Sequence, residues 1–235
     1  MITLRLHTNV IKKIILSAFK ANRGKYTYEE LVIDGLKILD MMRDVGCKVT
    51  IEGKENLKDL KPPCVFIANH MSTLETLVLP AVIGKEFKVT FVVKKSLLKY
   101  PFFGKILAAL KPIPVTRKNP KEDYRIVIQD GFKRLQEGIS VIVFPQATRE
   151  IVFEPSRFNT LGIKLAKKAN VPAVPIALRT DAWGVGKIIK DFGKIDPTKP
   201  ICFFIGKPLY IENKGIKEHL QIIEFIEHSL RKCYN

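Results

Sequence analysis

The chain has 235 residues, of which 46% are hydrophobic and 27% charged. That make-up excludes a disordered or collagen-like polymer and suits one α/β domain with a sizeable core. Forty Lys and Arg against 23 Asp and Glu leave a formal charge of +17, which implies an anionic partner: a membrane surface, a nucleic acid or an acidic protein.

The excess charge is segregated. Residues 1–28 carry Arg5, Lys12, Lys13, Lys20, Arg23 and Lys25 without a single acid, and residues 87–121 are likewise basic and acid-free. Cys47, Cys64, Cys202 and Cys233 lie far apart, with no CxxC pair and no His at ligand spacing. This argues against a metal site or a disulfide scaffold and suits a reducing compartment.

Residues 9–22 read as an amphipathic helix. Lys12, Lys13, Ser17 and Lys20 share a polar sector, and Val10, Ile11, Ile14, Ile15, Ala18 and Phe19 lie opposite. Periodicity alone fits a core helix and an interfacial membrane helix equally; the acid-free, Lys-rich face favours the second. No stretch reaches the roughly 18 apolar residues of a membrane span, and no signal-peptide cleavage pattern is expected. A second helix, 27–45, opens on Thr27 with Glu30 three residues on and closes at Gly46. Residues 1–46 therefore read as a helical membrane-association segment on the cytoplasmic side, and 47–235 as an α/β domain.

From residue 48 strands and helices alternate. Strand-like runs are Lys48–Ile51, Cys64–Ala68, Val89–Val93, Ile113–Val115, Ser140–Phe144, Ala173–Leu178 and Ile201–Ile205. Helix-like stretches are Thr73–Val82, Leu97–Leu110, Glu122–Glu137, Thr160–Ala169 and Gly215–Lys232. The inner strands are β-branched and apolar on both faces, which predicts a central mixed sheet covered by helices on both faces and preceded by the N-terminal pair of helices. Residues 181–200, rich in Gly, Asp and Pro, read as a long surface loop.

Of the four histidines, His7, His219 and His228 have no reactive neighbour in sequence and read as surface residues. His70 directly follows an apolar strand and precedes a helix start, at the sheet edge where α/β proteins bind ligands. Glu75, five residues on, can fold back onto one imidazole nitrogen and leave the other as a base. Ser72-x-x-Glu75 equally fits a capping box, so two roles stand for that carboxylate.

Four segments in order extend the pattern: Asn69-His70-x4-Glu75, Arg117 after Ile113-Pro114-Val115-Thr116, Phe144-Pro145-Gln146-Ala147-Thr148-Arg149, and Val171-Pro172-Ala173-Val174-Pro175. Together they resemble the four blocks of the glycerolipid acyltransferases, the 1-acylglycerol-3-phosphate acyltransferase family, over about residues 48–211. The resemblance implies transfer of a fatty acyl chain from a thioester, carried on coenzyme A or acyl carrier protein, to a lysophospholipid hydroxyl. It implies no further cofactor and no metal. His70 matches the family's base and Glu75 its acidic partner; Arg117 and Arg149 match residues assigned to the acceptor's phosphate, with Gln146 and Thr148 in the same substrate-binding segment. An Arg fork suits phosphate because it grips two oxygens at once.

Three positions depart from the family pattern. Glu75 stands where Asp is usual, and Gln146-Ala147 where Glu-Gly is usual. Ala147 opposes positive φ more than Gly would. These changes motivate a second reading, a different acceptor such as an amino-acid lipid. The charge motivates a third, nucleic-acid binding, but no helix-turn-helix, zinc finger or aromatic–basic alternation accompanies it, so anionic membrane lipids are the expected partner and nucleic acid is not.

Overall fold

The computed structural model describes residues 2–187 and 189–234. Seven strands form one sheet: β1 (Val49–Glu52), β2 (Val65–Ala68), β3 (Val89–Lys94), β4 (Ile113–Val115), β5 (Ser140–Val143), β6 (Ala173–Arg179) and β7 (Ile201–Ile205). Their order is β1-β7-β6-β2-β5-β3-β4. All pairs are parallel except β6 with β7, so the sheet is mixed. Strand β2 is central and fully buried, as a strand flanked on both sides and covered on both faces must be.

Seven α-helices cover the sheet: α1 (Ile2–Asn22), α2 (Tyr28–Asp44), α3 (Leu74–Ile83), α4 (Phe103–Ala109), α5 (Pro120–Gln136), α6 (Leu161–Ala169) and α7 (Ile216–Tyr234). The alternation along β2 divides the core. Cys64, Phe66 and Ala68 face α1, α2, α3 and α4, through Leu6, Val10, Leu39, Met42, Val78 and Leu107. Val65 and Ile67 face α5, α6 and α7, through Val127, Leu165, Ile222 and Ile226. Helix α2 carries the expected capping box, Thr27 with Glu30.

Five expectations are corrected. The first helix begins at Ile2 rather than residue 9. The stretch 97–110 is not one helix, because Pro101 cannot continue one; a 3-10 turn, Lys95–Lys99, precedes α4, and Phe102 between them sits at φ 61°. Residues 181–200 are not simply a surface loop, since Ala182, Trp183 and Ile195 are buried in the core beneath α1. His7 is buried with them, its ring 4.9 Å from Trp183 and 5.2 Å from Phe192. Cys202 on β7 and Cys233 on α7 are joined as a disulfide, with Cα atoms 6.5 Å apart: antiparallel β6 brings β7 under the last helix, a proximity that 31 residues of separation conceal.

Helix α1 shows why periodicity left two readings open. Leu6, Val10 and Ala18 are buried, and Ser17 and Tyr26 both donate to Asp34 of α2, which also pairs with Lys13 at 2.6 Å. On the outside Leu4 is 74% exposed, Leu16 65% and Phe19 53%. The helix is therefore apolar toward the core and apolar toward solvent. Among the described residues, no helix is long and apolar enough to cross a membrane.

Candidate active site

The site forms where β2 leaves the sheet. Asn69 continues the pairing beyond Ala68 with its side chain: Nδ2 donates to the Leu178 carbonyl at 2.7 Å, and Oδ1 accepts from the Leu178 N–H at 2.7 Å. His70 comes next, and its Nδ1 lies 2.8 Å from Glu75 Oε1. The imidazole lies flat on Phe144, with centroids 4.3 Å apart and planes at 17°. Nε2 has no protein partner among the described residues, and the ring lines a cavity of about 590 Å³.

Glu75 is fully buried. Its Oε1 accepts from the N–H groups of Met71 (2.6 Å) and Ser72 (2.9 Å). Its Oε2 accepts from the Ser72 N–H at 3.0 Å and from the Thr180 hydroxyl. The carboxylate ties down the turn before α3 through the Ser72 N–H and holds the imidazole, but the Ser72 capping box is not formed. Helix α3 begins one residue later than a Ser72 cap would place it, with Thr73 as N-cap. Burial alone would raise the Glu75 carboxyl, but the His70 bond and charge, the Thr180 hydroxyl and the Ser72 N–H outweigh it and hold it below its ordinary value. A carboxylate so placed fixes the proton of a neutral imidazole on Nδ1 and leaves Nε2 free to accept one.

The cavity is mainly apolar, walled by Phe91, Val93, Leu97, Phe103, Leu107 and Val127, with Arg117, Lys94, Lys164 and Thr148 among its polar members. Arg117 follows β4 at φ 60°, its N–H held at 2.7 Å by Asp123 of α5. Burial and the nearby Arg149 charge push its guanidinium below the ordinary value. Arg149 does not line the cavity wall. Its Nη1 pairs with Asp191 Oδ1 at 2.9 Å and donates to the Thr73 hydroxyl at 2.5 Å.

Gln146 sits behind the turn rather than in the cavity wall. Its Oε1 accepts from the His70 N–H at 3.3 Å, and its Nε2 donates to Glu150 Oε2 at 3.3 Å. Thr148 also bonds Glu150, at 3.1 Å, and the Glu150 N–H donates to the His70 carbonyl at 2.8 Å. The departure at Gln146 is thus internal: a neutral amide bridges a main-chain donor and a carboxylate, where a second carboxylate would face Glu150. Ala147 adopts φ 61° in spite of its methyl group.

The structure brings His70, Glu75, Arg117 and Thr148 to one cavity or its edge. Sequence reasoning missed Thr180, Asp191 and the specific use of Asn69 and Phe144. Asn69 and Phe144 carried a signal, each standing at the carboxyl end of an apolar strand beside a motif residue. Thr180 lies 105 residues from Glu75, and Asp191 lies 42 from Arg149 and 118 from Thr73; neither carried one.

A model of the Acyltransferase family matches residues 48–179. A 1-acyl-sn-glycerol-3-phosphate acyltransferase of Pseudomonas aeruginosa is 36% identical over 170 residues, which are 72% of this chain and 62% of that protein. A chloroplastic relative of the same name from Arabidopsis thaliana is 33% identical over 146 residues, 60% of this chain and 38% of that one. The chain thus spans less than two thirds of the length of these curated relatives. The crystal structure of the 1-acyl-sn-glycerophosphate (LPA) acyltransferase PlsC from Thermotoga maritima superposes with a TM-score of 0.74 at 19% identity, covering 98% of this chain and 94% of that one, and has the same fold. With more than half its length matched by the family model and His70, Glu75 and Arg117 gathered at one sheet edge, the chain belongs to the Acyltransferase family.

Proposed function

We propose that the protein transfers a fatty acyl group from a thioester donor to the free hydroxyl of 1-acylglycerol-3-phosphate, giving phosphatidic acid. The observation that carries this reading is the His70 ring, fixed at Nδ1 by a buried carboxylate and open at Nε2 toward an apolar cavity that also holds Arg117. The relatives' names support the choice of acceptor.

In this mechanism Nε2 takes the hydroxyl proton as the alcohol oxygen attacks the thioester carbonyl. The new C–O bond forms, the tetrahedral adduct collapses, and the C–S bond breaks. The imidazolium then returns its proton to the departing sulfur. Glu75 stabilises the transient positive charge on the ring, and Phe144 keeps the ring in plane. The apolar walls take an acyl chain, and Arg117 with Arg149 takes the phosphate and so sets the hydroxyl beside His70. Either coenzyme A or acyl carrier protein serves as the donor's carrier.

The protein works at the cytoplasmic surface of a membrane as a peripheral protein, with residues 1–46 as its docking segment. The outward Leu4, Leu16 and Phe19 of α1, with the exposed Arg5 and Lys12 on the same helix, support this, while Lys13 and Lys20 are paired with Asp34 and Glu30 of α2. The acceptor stays a phosphorylated one because Gln146 faces the His70 backbone instead of the cavity. The test is the purified protein with labelled acyl-CoA, or acyl carrier protein loaded with the same chain, and a panel of lysolipids. Phosphatidic acid as the dominant product is expected; preferential acylation of an unphosphorylated acceptor overturns the assignment.

A further inference from the structure

We propose that Asp191 is a positioning residue for Arg149, holding one nitrogen of the guanidinium so that its other edge is presented to the acceptor's phosphate. This rests on the phosphate role proposed above for Arg149. All protein bonds to the Arg149 side chain go through Nη1: Thr73 Oγ1 at 2.5 Å, Asp191 Oδ1 at 2.9 Å and the Lys190 carbonyl at 3.5 Å. Among the described residues no bond is made by Nε or Nη2, which form the straight edge that grips two phosphate oxygens. The Asp191 carboxylate is itself braced, accepting from the Thr73 hydroxyl at 3.1 Å.

The backbone of Asp191 is fixed as firmly as its side chain. Its carbonyl accepts from the indole N–H of Trp183 at 2.8 Å, and Trp183 is buried against His7 of α1. The same loop is tied across its neck by the pair Trp183–Ile195, and the Ile195 N–H donates to the Thr3 hydroxyl of α1 at 3.2 Å. A loop anchored in the core thus carries the carboxylate that aims Arg149. Arg117 lies near enough for the two like charges to disfavour each other, so the space they share attracts an anion and is costly without one. Asp191 neutralises part of the Arg149 charge through Nη1 without occupying the Nε–Nη2 edge.

The experiment uses the full chain and compares lysophosphatidic acid with a monoacylglycerol of the same acyl chain, at a saturating acyl-CoA donor. For Asp191→Asn the expected result is a rise of about tenfold in KM for lysophosphatidic acid, with kcat moving less than about twofold. The ratio of kcat/KM on the phosphorylated over the unphosphorylated acceptor falls by about the same factor. Arg149→Lys then costs less in the Asp191→Asn background than in the wild type, because the aim it would lose is already gone. A lower KM in Asp191→Asn would mean that Asp191 competes with the phosphate, and equal losses on both acceptors would mean that it only supports the fold; either overturns the proposal. A wild type with no preference for the phosphorylated acceptor instead sinks the phosphate role of Arg149, and the proposal with it. Trp183, the only tryptophan, reports the loop. If its emission shifts to the red in Asp191→Asn, Thr73→Val gives the second measurement, since Thr73 makes no side-chain cap to α3. An unchanged KM for lysophosphatidic acid in that variant also overturns the proposal.

Discussion

The hydroxyl of Thr180, at the end of β6, donates to the buried carboxylate of Glu75, which lies 105 residues earlier. The carboxylate accepts from two main-chain N–H groups, from the Ser72 and Thr180 hydroxyls and from the His70 ring. An amide replaces it poorly, because its NH2 would face the Ser72 N–H and could be received only if the Ser72 and Thr180 hydroxyls turned round to accept, and the charge that holds the His70 ring would be gone.

Glu75→Gln is therefore expected to lose activity by at least the factor of about 10² typical of a mispositioned base, and also to lose about 2 kcal/mol of stability. Kinetics and chemical unfolding on the same sample check both. The pH dependence follows from the sign of the shift. The folded carboxyl sits below its ordinary 4.5, so its contribution is complete above about pH 4.5 and drains as the pH falls through the lowered value. The stability gap between wild type and Glu75→Gln should narrow over that same acid range.

Ala147 occupies left-handed backbone, with its N–H on the Phe144 carbonyl at 3.0 Å. An L-residue in that region costs about 1–2 kcal/mol, and glycine gives back part of the difference as unfolded-chain entropy. Ala147→Gly should stabilise by about 0.5–1 kcal/mol, a rise of about 2 °C in Tm by calorimetry. A fall in Tm would mean that the methyl group's packing outweighs the backbone strain.

Leu16 and Phe19 project from α1 into solvent and leave the core intact. Leu16→Asp with Phe19→Asp should weaken binding to anionic vesicles by about tenfold or more while changing stability by less than about 1 kcal/mol. Co-sedimentation and thermal unfolding measure the two quantities. Deleting the helix is a poorer test, because Val10 and Ala18 on its other face are fully buried and their loss would open the core.

His7 is buried between Trp183 and Phe192, and its Nε2 has no partner among the described residues. Burial lowers its pKa below the ordinary 6.5. The unfolded state therefore takes up a proton before the folded state does, so stability is full above about pH 6.5 and declines as the pH falls toward the lowered value. Wild-type unfolding followed through Trp183 emission should show this decline between about pH 7 and 5. His7→Phe should remove it, and a decline that persists in His7→Phe would assign it to other groups.

The strands were legible because short β-branched runs bounded by turn residues have few other uses; all seven appear within a residue or so of their expected ends. Their order was not, since β7 enters between β1 and β6 through pairings that join residues far apart in sequence. The same division runs through the site. His70 and Glu75 are five residues apart, so local geometry suffices to bring them together. Thr180 and Asp191 reach the site only through the tertiary fold. Trp183 escaped notice because Gly, Lys and Asp around it give the local composition of a solvated loop. Arg149 was matched to the acceptor's phosphate by resemblance; it stands off the wall of the cavity that His70 lines, and the carboxylate that holds it could not be read.

The double hydrogen bond between Asn69 and Leu178 divides the enzyme into a part that must stay fixed and a part that can vary. It acts as an extra rung between β2 and β6, fastening the chain where it turns into His70. The position of His70 is thereby tied to the sheet, and loop 144–160 fixes it further through Gln146 and Glu150, which bond its N–H and carbonyl, and Phe144, which stacks on its ring. The segments 144–160 and 189–195 hold Arg149 and Asp191, the pair assigned to the acceptor's head in the function proposed above. On the function proposed above, changes around Asp191 can alter the choice of lipid head group without touching a partner of His70, whereas Asn69→Asp, which replaces the donor of the rung with a second acceptor, should move His70 for every substrate alike.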